Sequence, residues 1–234
     1  MAEHTSEPRP SHLRQLRTLL WKDLLIELRS RDAIVAMMVF GILALTVFNF
    51  AFELRAASVI LVAPGVLWVA VLFAGVLGLG RAFTHERERG SMEGLLLCPA
   101  DRGTLFVAKF LTNLAFIVAA EIVIVPVYDS FFGVAALRPG VVAVILLATI
   151  GFAAVGTVFG AMSVNTWAKE VMLPVLLLPI VTPLIIGAVR ATGILIDGGA
   201  FSETWTWVNL LIAVDVVYLA VSFLVFEFVL EDWG

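Results

Sequence analysis

Residues 63–103 read APGVLWVAVLFAGVLGLGRAFTHERERGSMEGLLLCPADRG. From Ala63 to Phe83 the only charge is Arg81. A stretch of about 20 such residues is long enough to cross a hydrocarbon core about 30 Å thick. From His85 to Gly103 the character reverses. His85, Glu86, Arg87, Glu88, Arg89, Glu93, Asp101 and Arg102 carry formal or potential charge, and glycines punctuate the run. An apolar span that breaks into a short charged segment describes a membrane helix reaching the surface.

The same alternation organises the whole chain of 234 residues, of which 61% are hydrophobic and 15% charged. Ordinary globular domains carry about 25% charge, so a soluble domain is excluded. Six apolar runs stand out, at 33–52, 62–83, 105–128, 141–163, 171–191 and 207–229. Each spans alone and none alternates strictly, which selects helices over a β-barrel. The expected fold is an all-α integral membrane protein of six transmembrane helices within a permease domain at 32–230. The fifth run contains Pro174, Pro179 and Pro183, which should kink it. The following ATGILIDGGAFSETW is too short and polar to span, and is expected as a surface excursion.

Residues 1–11 read as disordered, and residues 231–234 form a short tail. No cleavable signal peptide is expected. Residues 12–31 carry Leu13, Leu16, Leu20, Leu24 and Leu28 on one stripe, with Arg14, Arg17, Lys22 and Arg29 largely off it. This predicts an amphipathic helix along the membrane surface, with Trp21 at headgroup level. Twelve of the fifteen lysines and arginines fall on one side of a six-span topology, leaving Arg55, Arg138 and Arg190 on the other. The positive-inside rule then places both termini, and the segment 85–103, in the cytoplasm.

Within that segment Gly90 can end the extension of the second span, and Ser91 can cap a new short helix with Glu93 in its first turn. Leu95, Leu96 and Leu97 give it an apolar side, and Pro99 bounds it. Charge beside exposed aliphatic groups suits docking of a soluble partner. No GxxxxGK[ST] sequence occurs, so ATP hydrolysis would have to come from another chain.

ERERGSMEGLLLCPADR resembles the cytoplasmic signature of ABC-2-type exporter permeases. More narrowly, APGVLWVAVLFAGVLGLGRAF, VAKF at 107–110, NTWAKEVMLP at 165–174 and LPVLLLPIVTPLII at 173–186 resemble the CcmB family. CcmB is the permease-like subunit of the cytochrome c maturation ABC complex, often called heme exporter protein B. The resemblance covers about residues 13–230. It implies a CcmA-type ATPase as partner, with CcmC- and CcmD-type membrane subunits and a CcmE-type heme chaperone. It implies heme as transient cargo, or ATP-driven release of the heme-loaded chaperone, with ATP bound by the partner. In this reading Glu86, Arg87, Glu88, Gly90, Ser91, Glu93, Leu95, Leu96, Leu97 and Pro99 form the ATPase-coupling segment, and Lys169 and Glu170 make a second cytoplasmic contact. A generic ABC-2 exporter of a lipid, drug or polysaccharide is the alternative.

The remaining residues constrain that picture. His4, His12 and His85 all fall outside the spans, and Met37, Met38, Met162 and Met172 read as core filler, so a His-ligated heme on this chain alone is not expected. The single cysteine, Cys98, allows neither an intramolecular disulfide nor a cysteine metal site. No nucleophile–base or metal constellation points to an enzyme, and neither metal nor nucleic acid is expected as a partner. Gly75, Gly78 and Gly80, with the Gly156/Gly160 pair, suit close helix packing within the chain, while a homodimer seam stays open. Asn113, Glu121 and Asp215 are polar groups at bilayer depth. They read as helix-packing groups first and as a proton or substrate path second.

Overall fold

The structure, a computed structural model, describes residues 12–52, 56–88, 101–163 and 169–231. The described residues form seven α-helices: α1 (His12–Ser30), α2 (Asp32–Ala51), α3 (Ala56–Glu88), α4 (Arg102–Phe132), α5 (Pro139–Ser163), α6 (Lys169–Ile196) and α7 (Trp205–Glu231). A 3₁₀ turn, Phe201–Thr204, leads into α7. The six helices α2 to α7 are each long and apolar enough to cross a membrane, so the chain is an all-α integral membrane protein.

Helix α2 shows how the sequence builds this bundle. Ala33, Met37, Gly41 and Leu45 recur every four residues and are buried. Val35, Val39, Leu43 and Val47 recur with the same period and are exposed. Both faces are apolar because the outer one faces lipid rather than water, and the inner one is set apart by small or flexible side chains that let helices approach. Helices α3 and α5 are central: 67% and 72% of their apolar stretches are buried, against 22% for α2 and α7. Helix α5 packs against α3, α4, α6 and α7, and residues 151–158 are buried without interruption.

Three of the glycines marked in the sequence make these approaches inside the chain. A Cβ on Gly75 would strike the Phe152 ring, one on Gly78 would strike Met37, and one on Gly156 would strike Leu79. Met37 therefore fills the core against Gly78. Gly80 has open space at that position and makes no such contact.

The structure moves the expected end of the fifth span. Helix α6 continues unbroken through ATGILI to Ile196, with Pro174, Pro179 and Pro183 inside it. The surface excursion shrinks to the turn at Asp197–Gly198 and the 3₁₀ segment. Thr192 explains the extension: it is fully buried and its hydroxyl accepts a hydrogen bond from Trp68 Nε1 at 3.1 Å. The one polar side chain of this mostly apolar extension is thus satisfied inside the bundle.

Candidate functional site

Helix α1 sits at the end of the bundle where α3 finishes and α4 begins, and it packs mainly on α4. Its leucine stripe alone does not account for that packing. Asp23 and Glu27, four residues apart on one face, are buried to 7% and 6% exposure. They extend the line of Leu16, Leu20 and Leu24. Outward stand Arg14, Arg17 and Trp21, the last 65% exposed.

Each buried acid has a separate partner. Asp23 Oδ2 accepts from Lys109 Nζ at 2.7 Å, and Lys22 Nζ lies 3.2 Å from Oδ1. Lys109 is itself 8% exposed, two turns into α4. A buried ion of either sign is costly alone, so the pair holds α1 to α4. Glu27 Oε1 accepts from the backbone N–H groups of Ala33 at 2.8 Å and Ile34 at 3.1 Å. These are two of the unpaired donors that open α2. The residue at the cap position, Arg31, has no side-chain acceptor and adopts a left-handed φ of 58°. Glu27 supplies the missing cap from one helix to the next, and its negative charge suits the positive end of the α2 dipole. One short helix is thereby joined to the first span through Glu27 and to the third through Asp23.

A second, smaller core lies beneath this joint. Leu105, Phe106, Val158, Ala161, Phe226 and Val229 cluster there, with Leu19 of α1 packed against them. The Phe106 ring meets Phe226 at 5.4 Å and Phe223 edge-on at 6.0 Å. Arg102 donates to the Glu227 carbonyl at 3.4 Å, joining the start of α4 to the end of α7.

The intramembrane polar groups converge on α5. Asn113 Nδ2 donates to Thr157 Oγ1 at 2.9 Å, and Thr149 Oγ1 lies 2.6 Å from Glu121 Oε1. Moving eight residues up α4 moves the partner eight residues down α5, the register of two antiparallel helices over about 12 Å. Asp215 reaches α5 from the other side and rests against Gly151, whose missing side chain makes the room. At the opposite end of the bundle, Arg190 lies over the Trp207 ring at 6.0 Å and Arg138 donates to the Leu195 carbonyl at 3.3 Å.

The residues expected to contact an ATPase fall differently. Glu86, Arg87 and Glu88 form the last turn of α3, and Lys169 and Glu170 the first turn of α6. Both turns lie at the α1 end of the alternating bundle; their side chains are outside the described set. Gly90, Ser91, Glu93, Leu95, Leu96, Leu97 and Pro99 lie outside the described residues altogether.

Sequence reasoning did not single out Asp23 or Glu27, and counted Lys109 only as a cytoplasmic charge. The signal was present: two acids at i and i+4 stand in an otherwise apolar stripe, where solvated acids would fall on the polar face.

Known proteins resemble this chain over nearly all of it. The family described as CcmB protein matches residues 14–231. The heme exporter protein B of Pseudomonas aeruginosa is 32% identical over 55% of this chain and 60% of its own length. That of Paracoccus denitrificans is 26% identical over 88% of this chain and 94% of its own, and that of Bradyrhizobium diazoefficiens 27% over 78% and 83%. The matched residues take in α1, all six spans and both polar joints, and the chain belongs to the CcmB family.

Proposed function

We propose that this chain is the membrane subunit of an ATP-binding-cassette complex serving cytochrome c biogenesis. The observation that carries the reading is the family match across residues 14–231, with relatives named heme exporter protein B. In this reading the energy comes from a partner ATPase of CcmA type. CcmC- and CcmD-type subunits accompany it in the membrane. The work done is heme export, or release of a heme-loaded CcmE-type chaperone. Heme is cargo, and this chain does no covalent chemistry.

The α1 end faces the cytoplasm in this proposal, supported by the twelve cationic residues on that side. The segment 85–103 docks on the ATPase. Leu95, Leu96 and Leu97 enter an apolar groove, and Glu86, Arg87, Glu88 and Glu93 set the register. Lys169 and Glu170, at the start of α6, make a second contact. Helix α1 passes the motion on. A push on it moves α2 through Glu27 and α4 through Asp23, because both acids are buried and hold fixed partners.

The test is co-purification with CcmA-, CcmC- and CcmE-type chains, followed by ATP addition. Glu93→Lys should leave membrane insertion intact and reduce recovery of the ATPase. Recovery unchanged by Glu93→Lys contradicts the docking assignment. Recovery of an ATPase without any heme-handling chain would point instead to an ABC-2 exporter of another cargo.

A further inference from the structure

We propose that Glu121 and Asp215 form a proton-binding layer at mid-membrane, each holding a proton while α4, α5 and α7 are packed together. The two acids approach the same helix at Thr149 and Gly151, two residues apart and near the midpoint of α5. Both residues are 4% exposed. Among the described residues, Glu121 Oε2 and both Asp215 carboxyl oxygens receive no hydrogen bond of good geometry, the Gly151 backbone N–H being the donor nearest Asp215.

Among the described residues no cation balances them: α2 carries only Asp32, and α3 only Arg81 and the charged turn at 85–88, all toward the α1 end of the bundle. Helix α5 contains no ionisable side chain. Helix α6 has such groups only at Lys169, Glu170 and Arg190, and Arg190 is engaged with Trp207. On α4, Lys109 is paired with Asp23, Arg102 lies at the helix start, and Tyr128 and Asp129 lie two turns beyond Glu121. On α7 the neighbouring Tyr218 donates its hydroxyl to the Ile180 carbonyl, while Glu227 and Glu231 lie at the far end. Glu203, in the 3₁₀ turn, accepts from the Ala200 N–H.

Hydrogen counting reaches the same conclusion at Glu121. Thr149 has one hydroxyl proton but two acceptors within range, Glu121 Oε1 at 2.6 Å and the Ile145 carbonyl at 2.8 Å. With Glu121 ionised the two acceptors share that one proton, whereas with Glu121 as the acid it donates to Thr149 and Thr149 donates to Ile145, so each contact is a full hydrogen bond. For Asp215 the alternative is a carboxylate at bilayer depth with no cation beside it, the costly form of a buried acid.

The ligand of the layer is therefore a proton at each acid. Ionising either group requires water, which requires α5 to part from α4 or α7. By linkage, parting the helices releases protons, and low pH favours the packed state. This site rests on packing alone and stands apart from the heme reading.

The test is infrared spectroscopy of the purified chain in phosphatidylcholine bilayers at pH 7, where surface acids are ionised. Wild type should show absorbance from protonated carboxyl groups, with one component lost in D215N and another in E121Q. Dicyclohexylcarbodiimide, which attacks protonated carboxyls in apolar surroundings, should label Asp215 or Glu121 of the unmodified chain, located by mass spectrometry. That second measurement needs no variant to fold. Absence of any protonated carboxyl band, or a band unchanged in both variants, overturns the proposal. Loss of the band on adding sodium also overturns it, since the layer would then bind a metal cation.

Discussion

Lys109 Nζ stands 2.7 Å from Asp23 Oδ2, and the pair joins α1 to the third span. Both side chains are almost fully buried, at 11% and 6% exposure. Their energies are therefore coupled. Removing one partner strands the other, at about 3–5 kcal/mol, whereas removing both as Asp23→Asn with Lys109→Met restores most of that loss. A double-mutant cycle on denaturant unfolding in detergent measures the coupling.

Glu27 caps a helix to which it does not belong. Glu27→Ala should leave the Ala33 and Ile34 donors unpaired and cost about 0.5–2 kcal/mol, with Glu27→Gln recovering part of it. Hydrogen exchange reads the effect locally. The first turn of α2 should lose protection, while the middle of α5 keeps it.

The close contacts at glycine predict a steric response. Gly156→Val places atoms where Leu79 now lies, and overpacking of this kind costs about 1–3 kcal/mol. Gly80→Ala, which meets open space within a helix, should not destabilise. Thermal unfolding of the two purified variants side by side separates a packing role at Gly156 from a general intolerance of substituted helix glycines.

Trp68 and Thr192 tie α3 to α6 through one buried hydrogen bond. Trp68→Phe should lose about 0.5–1.5 kcal/mol from the bond itself. Thr192→Val removes the other partner, and the double variant should lose less than the sum. The same unfolding assay checks this.

Much of the fold was legible in the sequence because span length and apolar composition are dictated by the bilayer. The observed helix Ala56–Glu88 runs past the end of the expected second span, 62–83, because charged residues can extend a helix beyond the hydrocarbon. The end of α6 was less legible. ATGILI groups in the sequence with the polar residues that follow it, yet it is mostly apolar and its Thr192 finds Trp68 across the bundle, a partner 124 residues away that no local rule reveals. The candidate site was legible in halves. Glu121, Asn113 and Asp215 announce themselves as polar groups in apolar runs, but their convergence on α5 is a property of the packing. Asp23 and Glu27 are marked by their place in an apolar stripe, but their partners, Lys109 and the α2 N-terminus, are set by the packing.

The central proposition is that α1 transmits ATPase motion into α2 and α4 through its two buried acids. The most direct measurement uses the assembled complex carrying Asp23→Asn and Glu27→Gln. It compares ATP hydrolysis with ATP-dependent release of heme-loaded chaperone in the same sample. The expected result is continued binding and hydrolysis by the ATPase, with release reduced at least tenfold, a loss of about 1.4 kcal/mol in coupling. Release that stays in proportion to hydrolysis would contradict transmission through α1.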